Sequence, residues 1–185
     1  MTKIPAHAKI VYDGLIYQVY QRDQTMFDGS IRTFEEIKRP SSVFALPIVD
    51  RKIVVSYQKQ PGRTEPYWSL IGGRLDGDEE PLAWAKREML EETGMQANHW
   101  SLLFDKKTPV INWKLYYYVA KWCTKIQDPI ESSGESIKLF YLDFEVFVEM
   151  ALQGVFANDP LKDYVHDMVR NKKLKTFEDI LFTVE

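Results

Sequence analysis

Hydrophobic and polar positions alternate in short runs near the start of the chain, and this pattern predicts strands. Two such runs within residues 8–21 flank Asp13-Gly14, a dipeptide typical of a tight hairpin turn. A further turn leads to a third predicted strand over residues 31–38. Residues 1–40 are therefore predicted to form a small antiparallel sheet. Because so few strands are only marginally stable alone, this sheet needs a packing partner, and a second copy of the chain would provide one.

The remaining part of the chain, residues 41–185, is predicted to be an α/β domain. Two apolar strands meet at Asp50-Arg51, and a helix is predicted between Pro81, which suits a first helical position, and Gly94, which suits the residue past the end. The order of strands and helices indicates a mixed sheet flanked by helices rather than a regular βαβ series. Further strands are predicted at 100–104, 114–123 and 136–143, and further helices at 143–154, 159–171 and from 176.

Composition narrows the class of protein. The 185 residues are 45% hydrophobic, which is enough for one domain with a packed core. The net charge of -3 argues against a strongly basic nucleic-acid-binding face. Cys123 is the single cysteine, so a disulfide framework is excluded. Without a signal peptide or an apolar run of membrane-spanning length, the sequence predicts a soluble cytoplasmic protein with no membrane partner.

Acidic residues are concentrated on the helix predicted at 81–93. At about 100° per residue, Leu82, Ala85 and Met89 form the core-facing stripe, whereas Trp84 is predicted on the acidic side. A solvated acidic face is one interpretation of this pattern. The stretch holds five acids, Glu79, Glu80, Glu88, Glu91 and Glu92, against two bases, Lys86 and Arg87.

A bound cation is the second interpretation, because like charges one turn apart repel. The carboxylates adjoin the apolar stripe and therefore lie beside a predicted cleft wall. Gly72-Gly73 would bring backbone close to that wall and could offer a carbonyl oxygen. Carboxylates without histidine or cysteine suit hard cations such as Mg²⁺ or Mn²⁺.

The same stretch resembles the Nudix box, a motif of fixed glycine, glutamate and arginine positions. Every fixed position is matched over 23 residues, at Gly73, Glu79, Arg87, Glu88, Met89, Glu91, Glu92, Gly94 and Met95. The resemblance implies an α/β/α sandwich and metal-dependent hydrolysis of a nucleoside diphosphate linked to another group. It implies that Glu88 and Glu92 are the principal metal ligands, that Glu91 assists and that the Gly72 carbonyl completes the set.

The resemblance also implies roles beside the metal ligands. Arg87 orients Glu91 or Glu79, and Glu79 either stabilises the helix N-terminus or contributes to the metal site. Enzymes of this family that act on ADP-ribose often use a glutamate of a distant loop as general base. Glu135 is similarly placed here, with Glu131 as the reserve.

The N-terminal extension resembles that of the ADP-ribose and nucleotide-sugar pyrophosphatase branch, in which it commonly swaps across a homodimer and helps to hold the base. Candidate substrate contacts are Arg63 and Arg74 for phosphate or ribose, and Trp68 and Phe34 for stacking. Gln58-Lys59-Gln60 departs from the Gln-any-Arg of that branch, so the sugar stays open. GDP-mannose-like sugars, dinucleotides and a non-catalytic nucleotide-binding role remain alternatives.

Overall fold

The computed structural model describes residues 4–75, 77, 79–108, 111–130, 134, 136–157 and 159–183. The strands of the described residues are β1 Lys9–Asp13, β2 Gln18–Thr25, β3 Ile31–Lys38, β4 Ser42–Val49, β5 Lys52–Lys59, β6 Tyr67–Ser69, β7 Met95–Lys107, β8 Ile111–Asn112, β9 Lys114–Lys125 and β10 Ser136–Leu142. The helices are α1 Pro81–Thr93, α2 Phe144–Gln153, α3 Asp159–Arg170 and α4 Leu174–Phe182.

The first sheet has the strand order β1-β2-β3-β8. Strands β1, β2 and β3 are antiparallel neighbours, which confirms the predicted antiparallel sheet in the first 40 residues. The fourth strand comes from much later in the chain, since Ile37 and Lys38 pair in parallel with Ile111 and Asn112. This short strand ties the extension to the rest of the protein.

The second sheet has the order β10-β5-β4-β9-β7, and β6 pairs with β5. Strands β4 and β9 are parallel and the other pairs are antiparallel, so the predicted mixed sheet is confirmed. Asp50 and Arg51 connect β4 to β5 with φ values of 47° and 59°. Positive φ at both positions is the backbone of a two-residue hairpin turn whose twist matches that of the strands.

Helices cover both faces of this sheet, as the predicted α/β/α sandwich requires. Successive residues of a strand point to opposite faces. Val43 and Ala45 of β4 accordingly pack in clusters with α1, whereas Leu46 and Ile48 pack in the cluster that includes α2, α3 and α4. A strand buried on both faces explains why the sequence from 42 to 49 is almost wholly apolar.

Two expectations from the sequence need correction. Strand β7 extends over Met95–Lys107 rather than 100–104, because it pairs along its length with β9 around a register shift between Leu102 and Phe104. Trp84 lies in the core rather than on the acidic side and is 7% exposed. Its indole packs with apolar side chains of β4 and β9, and the Arg87 guanidinium lies 3.8 Å from the ring centroid.

Helix α1 has the predicted boundaries. Gly94 follows it with a φ of 69°, and the Gly94 N–H donates to the Leu90 carbonyl oxygen at 2.9 Å. A left-handed residue at this position is the usual end of a helix, and glycine adopts it without steric cost. Among the described helices, none is both long and apolar enough to cross a membrane.

Candidate active site

The site is built where strand β4 changes its pairing partner. The Val43 and Ala45 N–H groups donate to the carbonyl oxygens of Gly73 and Ile71, at 3.0 and 2.7 Å. Further along, β4 pairs with β5 instead. Pro47 lies between the part of β4 that pairs with this loop and the part that pairs with β5. Because proline has no backbone N–H, no donor is left unpaired at the change of partner. The loop that precedes α1 is thereby fixed to the central sheet.

Gly72 has to be a glycine because of this close approach. Its φ is 134°, and a Cβ atom would lie 2.2 Å from the Val43 carbonyl oxygen. The Gly72 N–H donates to Glu92 Oε2 at 3.0 Å. The contact observed at Gly72 therefore involves its N–H, while a metal-binding role for its carbonyl stays a prediction.

Because Gly73 has no side chain, it leaves space for the Glu88 carboxylate, the other predicted principal metal ligand. A Cβ atom at this position would lie 3.0 Å from Glu88 Oε2 and 3.2 Å from Glu88 Oε1. The structure thus brings Glu88 and Glu92 against two successive glycines. These carboxylates face backbone at the edge of the sheet, which supports the predicted cleft wall.

Arg87 occupies the middle of the acidic face. Its Nη1 donates to Glu91 Oε1 at 2.9 Å, and its Nε lies 3.7 Å from Glu79 Oε2. Burial opposes the charged form, but the hydrogen bond to Glu91 and the charges of Glu91, Glu88 and Glu79 outweigh it and raise the pKa of Arg87. The guanidinium contacts both carboxylates that it was predicted to orient.

The loop that carries the predicted general base is anchored at both ends. Glu135 and its reserve Glu131 lie outside the described residues. Just before them, the Ile130 N–H donates to the Glu91 carbonyl oxygen at 2.8 Å. Just after them, Ser136 pairs with Lys59 of β5. One end of the loop is therefore fixed to the acidic helix itself.

A cavity of about 430 Å³ lies between the N-terminal sheet and the loop that leads into α1. Its wall includes Leu75 and Gly77 of that loop, Lys38 and Arg39 at the end of β3, and Lys114 of β9. The N-terminal extension therefore shares a cavity with the segment that holds the acidic helix.

Arg39 is the cavity residue that the sequence interpretation missed. Its guanidinium carbon lies 4.1 Å from the centroid of the Trp113 ring and 5.6 Å from that of Tyr17. Its Nε is buried, and no described residue accepts a hydrogen bond from it. In the sequence, Arg39 is recognisable only as an arginine just before Pro40, between the extension and the core. Its aromatic partners are distant in the chain, so their contact is not visible there.

Lys114 adds a second fixed cation to the same wall. Its Nζ lies 2.5 Å from Asp105 Oδ2. The hydrogen bond to Asp105 is the main cause that raises the pKa of Lys114, although burial opposes it. The lysine is therefore charged at neutral pH and held beside the cavity.

The four predicted substrate contacts do not line the Arg39 cavity. Trp68 is half-buried between Tyr57 and Phe140, with ring centroids 5.0 and 4.8 Å away. The remaining three side chains are exposed. Arg63 lies over the Tyr67 ring in a different cavity, which Gly134 and Ser136 also line. The backbone of Arg74 pairs with that of Ser42, and Phe34 lies on β3 beside Arg22. Their contact with substrate stays a prediction.

Comparison with known proteins identifies the class. The family model described as NUDIX domain matches residues 38–163. A solved structure titled ADP compounds hydrolase superposes with a TM-score of 0.68 at 21% identity, covering 90% of this chain and 91% of that one, which shows a shared fold. The chain belongs to the Nudix family.

Three curated relatives are similar over part or most of the chain. The ADP-ribose pyrophosphatase of Bacillus subtilis (strain 168) is 30% identical over 88 residues, 47% of this chain and 48% of the relative. That of Mycobacterium tuberculosis (strain ATCC 25618 / H37Rv) is 30% identical over 103 residues, 55% of this chain and 50% of the relative. The methanol dehydrogenase activator of Bacillus methanolicus is 24% identical over 148 residues, 78% of each. The chain thus spans about half the length of the two pyrophosphatases it matches.

Nudix hydrolases generally need a divalent cation, and the local chemistry fits one. Glu88 and Glu92 provide hard oxygen atoms, and the absence of a Cβ at Gly73 leaves room beside the Glu88 carboxylate. Within the described residues, no three His, Cys, Asp or Glu side chains already form a metal-binding group. Asp76 and Asp78 of the same loop lie outside those residues.

Gly73→Ala should weaken cation binding while the protein remains folded. Gly73 is not among the glycines with positive φ, so alanine fits the backbone, but its methyl group would meet the Glu88 carboxylate. Displacing one oxygen ligand should lower Mn²⁺ affinity by about 10- to 100-fold, measured by calorimetric titration. Gly14→Ala is the control, since Gly14 also lacks a positive φ and its Cβ would meet only the exposed Tyr12 ring, not Glu88. Equal Mn²⁺ affinity in the two variants would contradict the placement of the cation beside Glu88.

Proposed function

We propose that this protein hydrolyses the diphosphate of a nucleoside diphosphate sugar such as ADP-ribose, in a reaction that depends on Mg²⁺ or Mn²⁺. The observation that carries the proposal is the placement of Glu88 and Glu92 against Gly72-Gly73, in a loop that continues into the wall of the Arg39 cavity. The two similar ADP-ribose pyrophosphatases support this substrate class.

The carboxylates of α1 would hold the cation, with Glu88 and Glu92 as principal ligands and Glu91 and the Gly72 carbonyl assisting. When bound, the cation neutralises diphosphate oxygens and makes a bound water more acidic. The chain positions these ligands through two contacts. The Gly72 N–H holds one oxygen of Glu92, and Arg87 holds Glu91.

Hydrolysis joins the oxygen of a water molecule to one phosphorus atom and breaks the bond from that phosphorus to the bridging oxygen. The bridging oxygen leaves on the other phosphate, so the products are a nucleoside monophosphate and a sugar phosphate. The water loses a proton in this step, and we assign its acceptor to Glu135, with Glu131 as the alternative. The hydrogen bond between Ile130 and the Glu91 carbonyl supports this assignment, because it brings the loop to the acidic helix.

The Arg39 cavity would bind the part of the substrate that carries the negative charge. A guanidinium has planar donor geometry that matches phosphate oxygens. Packing of the guanidinium on the Trp113 ring, with Tyr17 further away, restricts the Arg39 side chain, so little side-chain entropy is lost when an anion binds. Lys38 adds positive charge to the same wall, whereas the charge of Lys114 is balanced by its ion pair with Asp105.

GDP-mannose-like sugars and dinucleotides are the alternative substrates, and a non-catalytic nucleotide-binding role is the alternative function. All box glutamates are present, which favours an enzyme. The reducing cytoplasm stays the proposed compartment.

Self-association through the N-terminal sheet is the proposed assembly. This sheet exposes large apolar side chains on and beside its edge strand, and exposed apolar patches commonly mark protein–protein contacts. Strand β1 is at its edge, and the exposed set includes Ile10, Val11, Tyr12, Leu15, Phe27 and Ile31. A homodimer would cover them, in agreement with the small size of the sheet.

The first test replaces one proposed metal ligand. Glu92→Gln keeps the size of the side chain but removes its charge, so turnover of ADP-ribose with Mg²⁺ should fall by on the order of 10²-fold or more. Glu80→Gln, an exposed residue that makes no side-chain capping bond at the start of the same helix, should retain activity. Products are identified by chromatography over a panel of nucleotide sugars and dinucleotides. Near-normal turnover of Glu92→Gln at saturating Mg²⁺ would refute the ligand assignment.

Arg39→Ala should mainly raise KM. A hydrogen bond to a charged group contributes about 1.5–3 kcal/mol, so KM should rise by about 10- to 100-fold, with a smaller change in kcat. Arg32→Ala, on strand β3, which ends just before Arg39, but exposed and outside the cavity, serves as the control in steady-state kinetics. An unchanged KM in Arg39→Ala would exclude the cavity as the substrate site.

The assembly prediction is tested by multi-angle light scattering at micromolar protein. The wild-type chain should have the mass of a dimer, and Ile10→Asp should shift the population toward monomer because it places a charge in the buried interface. Gln24→Asp, on the neighbouring strand, should leave the mass unchanged. An active wild-type monomer would contradict the proposal.

A further inference from the structure

Helices α2 and α4 leave an apolar groove of about 630 Å³ between them, open to solvent. Phe144, Val148 and Leu152 of α2 line it from one side, and Leu174 of α4 lines it from the other. The ring of Phe144 packs edge-on against Phe177, with centroids 5.6 Å apart, which closes the floor. The groove is therefore preformed by helices that pack against each other beneath it.

The groove is the outer margin of the main core, and only part of its apolar surface is covered by the packing of the helices. Helix α2 already buries Phe147 and Ala151, and α4 buries Phe177 and Leu181, all in the main core cluster. Leu152 and Leu174 are only partly buried. Val148 is buried in the same cluster, and Phe144 packs against it, so the apolar face of α2 extends from the core into the groove.

The rim of the groove is acidic. Glu145 and Glu149 lie one turn apart on exposed positions of α2, and Glu178 lies on α4. Lys175 is the single basic residue among those that line the groove, and its Nζ lies 3.2 Å from Glu178 and 3.0 Å from Asp179.

The remaining contacts of the rim leave its α2 side negative. Arg51 approaches Glu178 at 3.6 Å, so the charge on the α4 side is balanced by Arg51 and Lys175. On the α2 side, Glu149 accepts a hydrogen bond from the neutral amide of Gln153 at 3.1 Å. Like charges one turn apart repel each other on a helix, and a basic partner would relieve that repulsion.

We propose that the α2–α4 groove is a docking site for an amphipathic, basic helical segment of a partner protein. Apolar side chains at helical spacing would fill the groove, and lysine or arginine beside them would pair with Glu145 and Glu149. Anionic lipid surfaces and nucleic acids are disfavoured as occupants, because the same carboxylates would repel them. Neither helix carries a residue of the proposed active site, so docking and hydrolysis are separable.

The test uses a fluorescent helical peptide of leucine and lysine, with leucine along one face, and measures anisotropy as intact protein is titrated. Saturable binding is expected, weaker as NaCl rises from about 0.05 to about 0.5 M. Glu145→Lys/Glu149→Lys should weaken binding at least about tenfold through charge repulsion. Leu152→Ser should also weaken it by about tenfold, since it removes apolar contact area from the groove.

The matched control is Asp163→Lys/Asp167→Lys, which makes the same change of charge one turn apart on α3 and should change the affinity by no more than about twofold. A peptide with glutamate in place of lysine should not bind. The proposal is overturned if neither peptide binds, if the α3 control loses as much affinity as the groove variant, or if the glutamate peptide binds equally well. It is also overturned if the groove variants change the oligomeric state of the protein alone, since the groove would then be a contact between copies.

Discussion

The hydrogen bond between the Gly72 N–H and the Glu92 carboxylate is the contact on which the candidate site depends. It joins the last turn of the acidic helix to a loop that is itself paired with β4 through Ile71 and Gly73. The register of that pairing decides which carboxylates face the cleft. Glycine is required because the loop lies too close to Val43 for any side chain. The positions of the carboxylates are thus set by backbone packing rather than by contacts among the acids.

Charge on the acidic helix is divided between two kinds of partner. Arg87 contacts Glu91 and Glu79 while stacking on the buried Trp84, so its position is fixed by packing as well as by charge. Glu88 and Glu92 instead face the glycine backbone. In the proposed reaction, Glu88 and Glu92 would hold the cation, and Glu91 would assist while Arg87 fixes one of its oxygens. The repulsion that the sequence suggested is therefore resolved in part by the protein itself.

The elements predicted best were those whose signals are local. Pro81 and Gly94 mark the bounds of α1, and Asp50 and Arg51, both with positive φ, join two strands where the sequence predicted. The features that the sequence did not predict depend on contacts between distant parts of the chain. Helical periodicity placed Trp84 among the acids, but the apolar side chains that bury it come from other strands. The box residues could be located from their spacing, whereas Arg39 could not, because its site exists only once Tyr17 and Trp113 meet around it.

The cavity beside the site has walls of two different origins, and this has a consequence for specificity. One wall is the loop leading into the acidic helix, whose backbone is constrained by β4 and by the glycines. The other wall belongs to the N-terminal sheet and to the segment around β8, which pairs with β3. Substitutions in the first wall disturb the carboxylates, whereas substitutions in the second alter the shape and charge of the cavity alone. Under the proposed function, the extension is therefore the part of the chain in which substrate preference could change without loss of hydrolysis.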